Sequence, residues 1–205
     1  MTQTTDDETE LAVAIGAAVR TRREAAGLSM RALASSAGIS QPFLSHLERG
    51  LSMPSMVTIY RLATVLNVAP GELMPSPLGS PSRVAIVRAG SGSPVPVSSR
   101  PDAAIGHALL FDRNTSLEVT EYRLEPEVHI SEWFQSSGLA AVYLISGSLE
   151  VEVEGEGSWQ LEAGDFIRHD ADLRHRWLLV DKKPAHALLI LNHAVAPGTQ
   201  QRFGG

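Results

Sequence analysis

Between residues 75 and 82 the chain reads Pro-Ser-Pro-Leu-Gly-Ser-Pro-Ser, and its apolar residues keep different periods on the two sides of that stretch. Three prolines, three serines and a glycine in eight residues exclude both a helix and a central strand, so residues 76–82 are expected to be a linker. Before the linker, apolar residues recur at the 3.6-residue spacing of a helix; after it they alternate as in a strand. The expected fold class is therefore multidomain, α plus all-β, with a helical domain over 10–75 and a β domain over 83–195. Residues 1–9 are polar and expected to be a disordered tail, and the Gly/Gln-rich 196–205 a loose one.

In the helical half, Leu11, Ile15, Ala18 and Val19 form one face of a helix that starts at Glu10 and stops at Gly27. Ser29 suits the N-cap of a second helix ending at Gly38. Ser40 caps a third, with Pro42 in its first turn where the missing N–H costs little. Ser55 caps a fourth, whose stripe of Ile59, Leu62, Ala63 and Leu66 runs to Asn67, and a short fifth helix follows over 68–74. Five helices in about 65 residues are enough for one small domain.

Within that domain, residues 28–50 have the spacing of a helix-turn-helix. Ala34 allows close helix approach, Gly38 can take the positive φ that ends the first helix, and Leu44 with Leu47 turn one face of the next helix inward. Gln41, Pro42, Ser45, His46 and Arg49 are left pointing outward, as a helix entering a major groove requires. The net charge of −6 does not oppose this reading, because it is unevenly spread. Residues 10–75 carry six arginines against four acidic groups, and residues 76–205 carry eleven basic against sixteen acidic groups. The pattern is a mildly basic head on an acidic body.

Cysteine is absent, which removes disulfides and thiolate metal sites and suits a reducing cytoplasm. No apolar run approaches the ~20 residues of a membrane span, and the acidic first ten residues are unlike a signal peptide. A cytoplasmic protein with no membrane partner is expected.

Beyond the linker, strand candidates are 83–88, 106–111, 117–124, 139–145, 149–154, 159–161, 166–169, 175–180 and 186–192. The clearest is Leu149-Glu150-Val151-Glu152-Val153-Glu154, alternately apolar and acidic as in a half-buried antiparallel strand. Turns such as Ser146-Gly147-Ser148 and Ala163-Gly164-Asp165 between short strands indicate a sandwich or barrel.

Several of these motifs resemble known families. Gly27-Leu28-Ser29, Leu33-Ala34, Ala37-Gly38-Ile39-Ser40, the run Leu44–Gly50 and Pro54-Ser55 closely resemble the phage-repressor-like helix-turn-helix family, often called the Xre family. Leu144–Val151 and Leu161-Glu162-Ala163-Gly164-Asp165 with His175 are similar to the cupin family, whose fold is a double-stranded β-helix barrel. The pairing looks like a bacterial transcription regulator with a five-helix repressor-like head and a cupin sensor.

The first resemblance implies that the third helix reads bases. Gln41 can pair with adenine, His46 can meet a base edge, and Pro42 offers apolar contact to a thymine methyl. Ser29, Arg31, Ser45 and Arg49 suit phosphates, and Ser29 and Ser40 lie at helix N-termini that also attract them. Arg23 and Glu48 match positions that form an internal ion pair in the family, and Met30 replaces a frequent glutamine.

The second resemblance implies a metal only where its ligands survive. Seven residues before Gly147, the glutamate position holds Ala140; the paired histidine positions fall near Phe134 and Ser136; only His175 remains in place. One imidazole does not hold a divalent ion, so neither metal nor cofactor is expected. His129 reads either as a displaced ligand or as a surface-loop histidine, and His169 as facing either the interior or the rim. Ala140, Val142, Leu144, Trp177 and Leu179 face inward by parity, which fits a filled core and a small-molecule cavity equally. The expected effector pocket is Val142, His169, His175 and Trp177.

These readings converge on a sequence-specific transcription regulator without enzymatic activity. It would bind a double-stranded DNA operator as a homodimer and sense a small-molecule effector through the cupin. The competing reading is a metal-dependent cupin oxygenase or epoxidase carrying a helix-turn-helix head.

Overall fold

Serine caps set the register of the helical half. In the computed structural model, which describes residues 3–74, 84–112 and 117–193, the helices are α1 (Gln3–Ala25), α2 (Met30–Ser36), α3 (Gln41–Glu48) and α4 (Met56–Leu66). The Ser29, Ser40 and Ser55 hydroxyls accept from the backbone N–H of Ala32, Phe43 and Thr58, each satisfying one of the unpaired donors of a helix start. Gly38 adopts φ 65° after α2, as the turn requires.

Two sequence expectations change here. The first helix extends back to Gln3 instead of starting at Glu10, because no glycine or proline before Gly16 interrupts it. The fifth helix is only a 3-10 turn, Pro70–Glu72, so the head has four α-helices among the described residues. Pro70 starts the turn, and Pro75 disfavours helical backbone at the residue before it. The turn is tied down instead by Glu72, whose carboxylate accepts from the Ala69 N–H and pairs with Arg22 of α1. The linker expected at 76–82 and the tail at 196–205 lie outside the described residues.

The second half is antiparallel throughout its paired strands. One sheet has the order β1-β2-β3-β9-β4-β7 and the other β6-β5-β8. Their ranges are β1 (Ser93–Pro96), β2 (Ile105–Asp112), β3 (Leu117–Leu124), β4 (Leu139–Ser146), β5 (Ser148–Val153), β6 (Gly157–Glu162), β7 (Phe166–Asp170), β8 (His175–Leu179) and β9 (Ala185–Asn192). Alternation drives the packing. In β5, Leu149, Val151 and Val153 are buried against Tyr122, Val142, Leu144 and Trp177, while the glutamates between them stay at the surface side.

The expected barrel is not closed among the described residues: the strands fall into two sheets that are not joined by strand pairing. The strand expected at 83–88 is also absent over its described part, where Val84 and Ile86 are exposed. The edge strand is instead Ser93–Pro96, whose two prolines are tolerated because it pairs on one side only.

The core does not stop at the end of the head. Leu44, Leu47, Ile59, Leu62, Leu73 and Met74 belong to a buried cluster that continues into Val95, Ala108, Phe111, Ala140 and Leu191 of the β half. The seam is fastened by the Val57 N–H donating to the Val97 carbonyl and by Gly71 facing Phe111.

Gly16 is the closest-packed point of the head. A Cβ there would overlap the Leu47 carbonyl oxygen, so α1 can cross the end of α3 only over a glycine. Gly16→Ala should lower stability by roughly 1–3 kcal/mol in urea denaturation, despite alanine's higher helix propensity. An unchanged midpoint would show that the two helices do not meet there.

Candidate nucleic-acid interface and interior cavity

The third helix is held from behind. Leu44 and Leu47 are fully buried, and Arg23 clamps the helix end with Nε to Glu48 Oε1 at 2.6 Å and Nη2 to Oε2 at 2.9 Å. The remaining Arg23 amine donates to the Leu28 carbonyl, so one guanidinium joins α1, the α1–α2 turn and α3. The hydrogen bond to Glu48 leads the causes that raise the Arg23 pKa, and with the pair largely buried both groups are committed to structure.

With that back face fixed, Ser29, Arg31, Ser40, Gln41, Pro42, His46 and Arg49 are exposed and Ser45 is half-buried. They form one face made from the start of α2 and the length of α3. The Ser29 and Ser40 oxygens are engaged in capping, which leaves their hydroxyl protons to donate. Arg49 Nε donates to the Ser45 carbonyl, orienting the guanidinium along the end of α3.

In the β half, two of the four expected pocket residues line a cavity and the other two pack behind it. His175 and Trp177 line an interior cavity together with Tyr122, Phe134, Leu189 and, from α4 of the head, Tyr60. Val142 is fully buried in the core, and His169 packs its ring 4.4 Å from that of His175. His169 therefore faces inward, its Nδ1 on the Asp170 carbonyl and its Nε2 buried without a partner. His129 lies apart, in a loop, with Nε2 3.1 Å from Glu132.

The cavity measures about 30 Å³. One or two waters need that much room, whereas a benzene-sized guest needs on the order of 150 Å³. Outside it, a groove of about 840 Å³ runs between α4 with the Pro70 turn and the loop carrying Trp133, Phe134 and Gln135.

The Tyr60 hydroxyl donates to Glu118 Oε2 at 3.1 Å, and both side chains are buried. Burial, followed by the nearby Glu118 carboxylate, pushes the Tyr60 pKa well up, keeping it a neutral donor. Glu118 Oε1 lies 3.0 Å from His193 Nε2 but without hydrogen-bond alignment, so that oxygen and both His193 ring nitrogens are buried unsatisfied. Sequence reasoning missed this cluster. Glu118 and His193 look like ordinary strand and strand-end residues, and Tyr60 like part of an apolar helix face.

A helix-turn-helix family model matches residues 19–73 and a cupin domain model residues 120–191. An uncharacterised HTH-type transcriptional regulator of Mycobacterium tuberculosis is 34% identical over 107 residues, covering 52% of this chain and 68% of the relative. The chain belongs to the HTH-type transcriptional regulators. The regulator is also 26% identical over 156 residues to the HTH-type transcriptional regulator SutR of Escherichia coli, covering 75% of this chain and 80% of that one. Its fold matches the crystal structure of an HTH_3 family transcriptional regulator from Vibrio cholerae, with TM-score 0.63 at 20% identity, over 91% of this chain and 99% of that one.

The cupin metal positions do not fit a metal in this regulator. Phe134, Ser136 and Ala140 supply no imidazole or carboxylate beside His175, and no three His, Cys, Asp or Glu side chains cluster among the described residues. No described helix is long and apolar enough to cross a membrane.

Burial lowers the His175 pKa to about 4, with its Nδ1 on the Leu173 carbonyl opposing the shift and His169 reinforcing it. The unfolded chain would bind that proton near 6.5, so stability present at neutral pH is lost as pH falls from about 6.5 towards 4. Between pH 7 and 5 the loss from this group is about 2 kcal/mol. Urea denaturation of His175→Gln should show a correspondingly flatter pH dependence than wild type over that range; parallel curves would refute the neutral buried imidazole.

Proposed function

We propose that this DNA-binding regulator reads its operator through α3, with Gln41 and His46 at base edges and Pro42 against a thymine methyl. Ser29, Arg31, Ser40, Ser45 and Arg49 hold the flanking phosphates. The carrying observation is the division of α3 into two faces, Leu44 and Leu47 wholly buried and Gln41, Pro42, His46 and Arg49 exposed. The proposed limits are 10–75 for the head, with α1 reaching back beyond them to Gln3, 76–82 for the linker and 83–195 for the cupin domain.

The protein acts in the cytoplasm as a homodimer, two heads about 34 Å apart on a near-palindromic site. In support, the outer face of the six-stranded sheet exposes Leu139, Tyr143, Ile145 and Phe166, an apolar patch suited to a second copy. The cupin domain senses a small organic effector. The shared core gives such a ligand a route to the head, since any change in the cavity wall reaches Tyr60 directly. No enzymatic role is proposed: the relatives are named as regulators, and the cupin metal positions hold a single histidine.

Fluorescence anisotropy on operator fragments, repeated across salt concentrations, separates the roles on α3. Gln41→Ala should cost ~1–3 kcal/mol and relax specificity at one base pair. Arg49→Ala should weaken all sequences alike and reduce the salt slope by about 1. Identical behaviour of the two variants would sink the division into base and phosphate contacts.

A further inference from the structure

Tyr60 is the one residue that the head contributes to the wall of the interior cavity, among the described residues. Its ring lies with Tyr122, Trp177 and Leu189 around the same space, and its hydroxyl is bound to Glu118, an inward-facing residue of β3. The arrangement is that of a ligand in a pocket: an aromatic body among apolar walls and a single donor on a buried acceptor. The about 30 Å³ left over is the remainder of a space that Tyr60 fills.

The groove outside shares Tyr60, Phe134, Gln135 and Ser136 with the cavity wall, so these side chains alone stand between the two spaces at that point. The docked state also carries a cost. Glu118 Oε1 and His193 Nε2 lie 3.0 Å apart without an aligned hydrogen bond and His193 Nδ1 has no partner, and withdrawal of Tyr60 would let water or a guest reach them. Two states of comparable energy are what a switch requires.

We propose that Tyr60 is a built-in ligand of the cupin cavity, and that the cavity takes in its place a small phenol-like molecule, a single ring bearing a hydroxyl donor for Glu118. Such a guest and Tyr60 exclude each other. Admission of the guest from the groove releases α4 from the β half and frees the head to change its placement on DNA. This deepens the effector-sensing reading and rests on it.

The test uses the full chain and p-cresol, the side chain of tyrosine as a free molecule. Isothermal titration should show one p-cresol per chain in Tyr60→Ala, bound at least tenfold more tightly than by wild type. Tyr60→Leu, which keeps apolar contact at the seam, should show the same preference if the alanine variant does not fold. Operator affinity of wild type should move on saturation with p-cresol towards the value of the uncomplexed Tyr60→Ala protein, which itself should no longer respond. Equal p-cresol affinity in wild type and a folded variant, or no binding to that variant, would overturn the exclusion. An operator affinity of wild type that ignores bound p-cresol would overturn the coupling. Absence of sequence-specific DNA binding in every protein would instead defeat the regulator reading, and the calorimetric comparison would still decide the cavity.

Discussion

The buried hydrogen bond from Tyr60 to Glu118 is the side-chain tie between head and β half that is hardest to leave unmade. It carries a polar tip of the head into the β half, where neither group can be left unmatched cheaply. Around it the apolar cluster of the head runs on into Val95, Phe111 and Leu191, so the helical and β parts are stabilised by one core. A DNA-reading unit joined in this way is not a bead on a string. Its position is set by the packing between α4 and the strands.

A second rigid connection works at the other end of the head. Arg23 forks onto Glu48 at the end of α3 and reaches the Leu28 carbonyl, while Gly16 lets α1 lie directly on the Leu47 backbone. Helix α3 is only eight residues long, too short to be stable by propensity alone. It is held by its buried leucines, its Ser40 cap and this ion pair, which leaves its outer side chains free of structural duty. Gln41 and His46 are exposed and contribute nothing to the core.

In the β half, the positions that the cupin resemblance assigns to metal ligands hold residues that fill space. Ala140 is fully buried in the core cluster, and Phe134 stacks beside His175 with ring centroids 6.3 Å apart. His175 is a neutral, buried imidazole bound to a backbone carbonyl, with His169 against it. The interior around His175 is organised by packing, while the buried polar pair Glu118 and His193 lies beyond the cavity lining, at the Tyr60 hydroxyl.

What the sequence determined by itself is local. Serines at 29, 40 and 55 cap helices because a hydroxyl three residues ahead of an unpaired N–H is a short-range relation. Alternation in 149–153 sets which side chains face inward, and the spacing of Leu44 and Leu47 decides which face of α3 is left exposed. The missing metal ligands were equally plain, since an alanine has no donor atom wherever it is placed. Only tertiary structure decided the rest. Ser93–Pro96 is a strand because it lies at a sheet edge, a fact its prolines hide. Val142 and His169 pack behind the cavity wall that His175 and Trp177 line, because parity gives a side chain's direction but not the depth of the wall it meets. Above all, Tyr60 and Glu118 are 58 residues apart, and no periodicity links them. Their meeting depends on how two independently patterned surfaces pack, and that packing, not any motif, leaves a cavity of water size where a sensor pocket was expected.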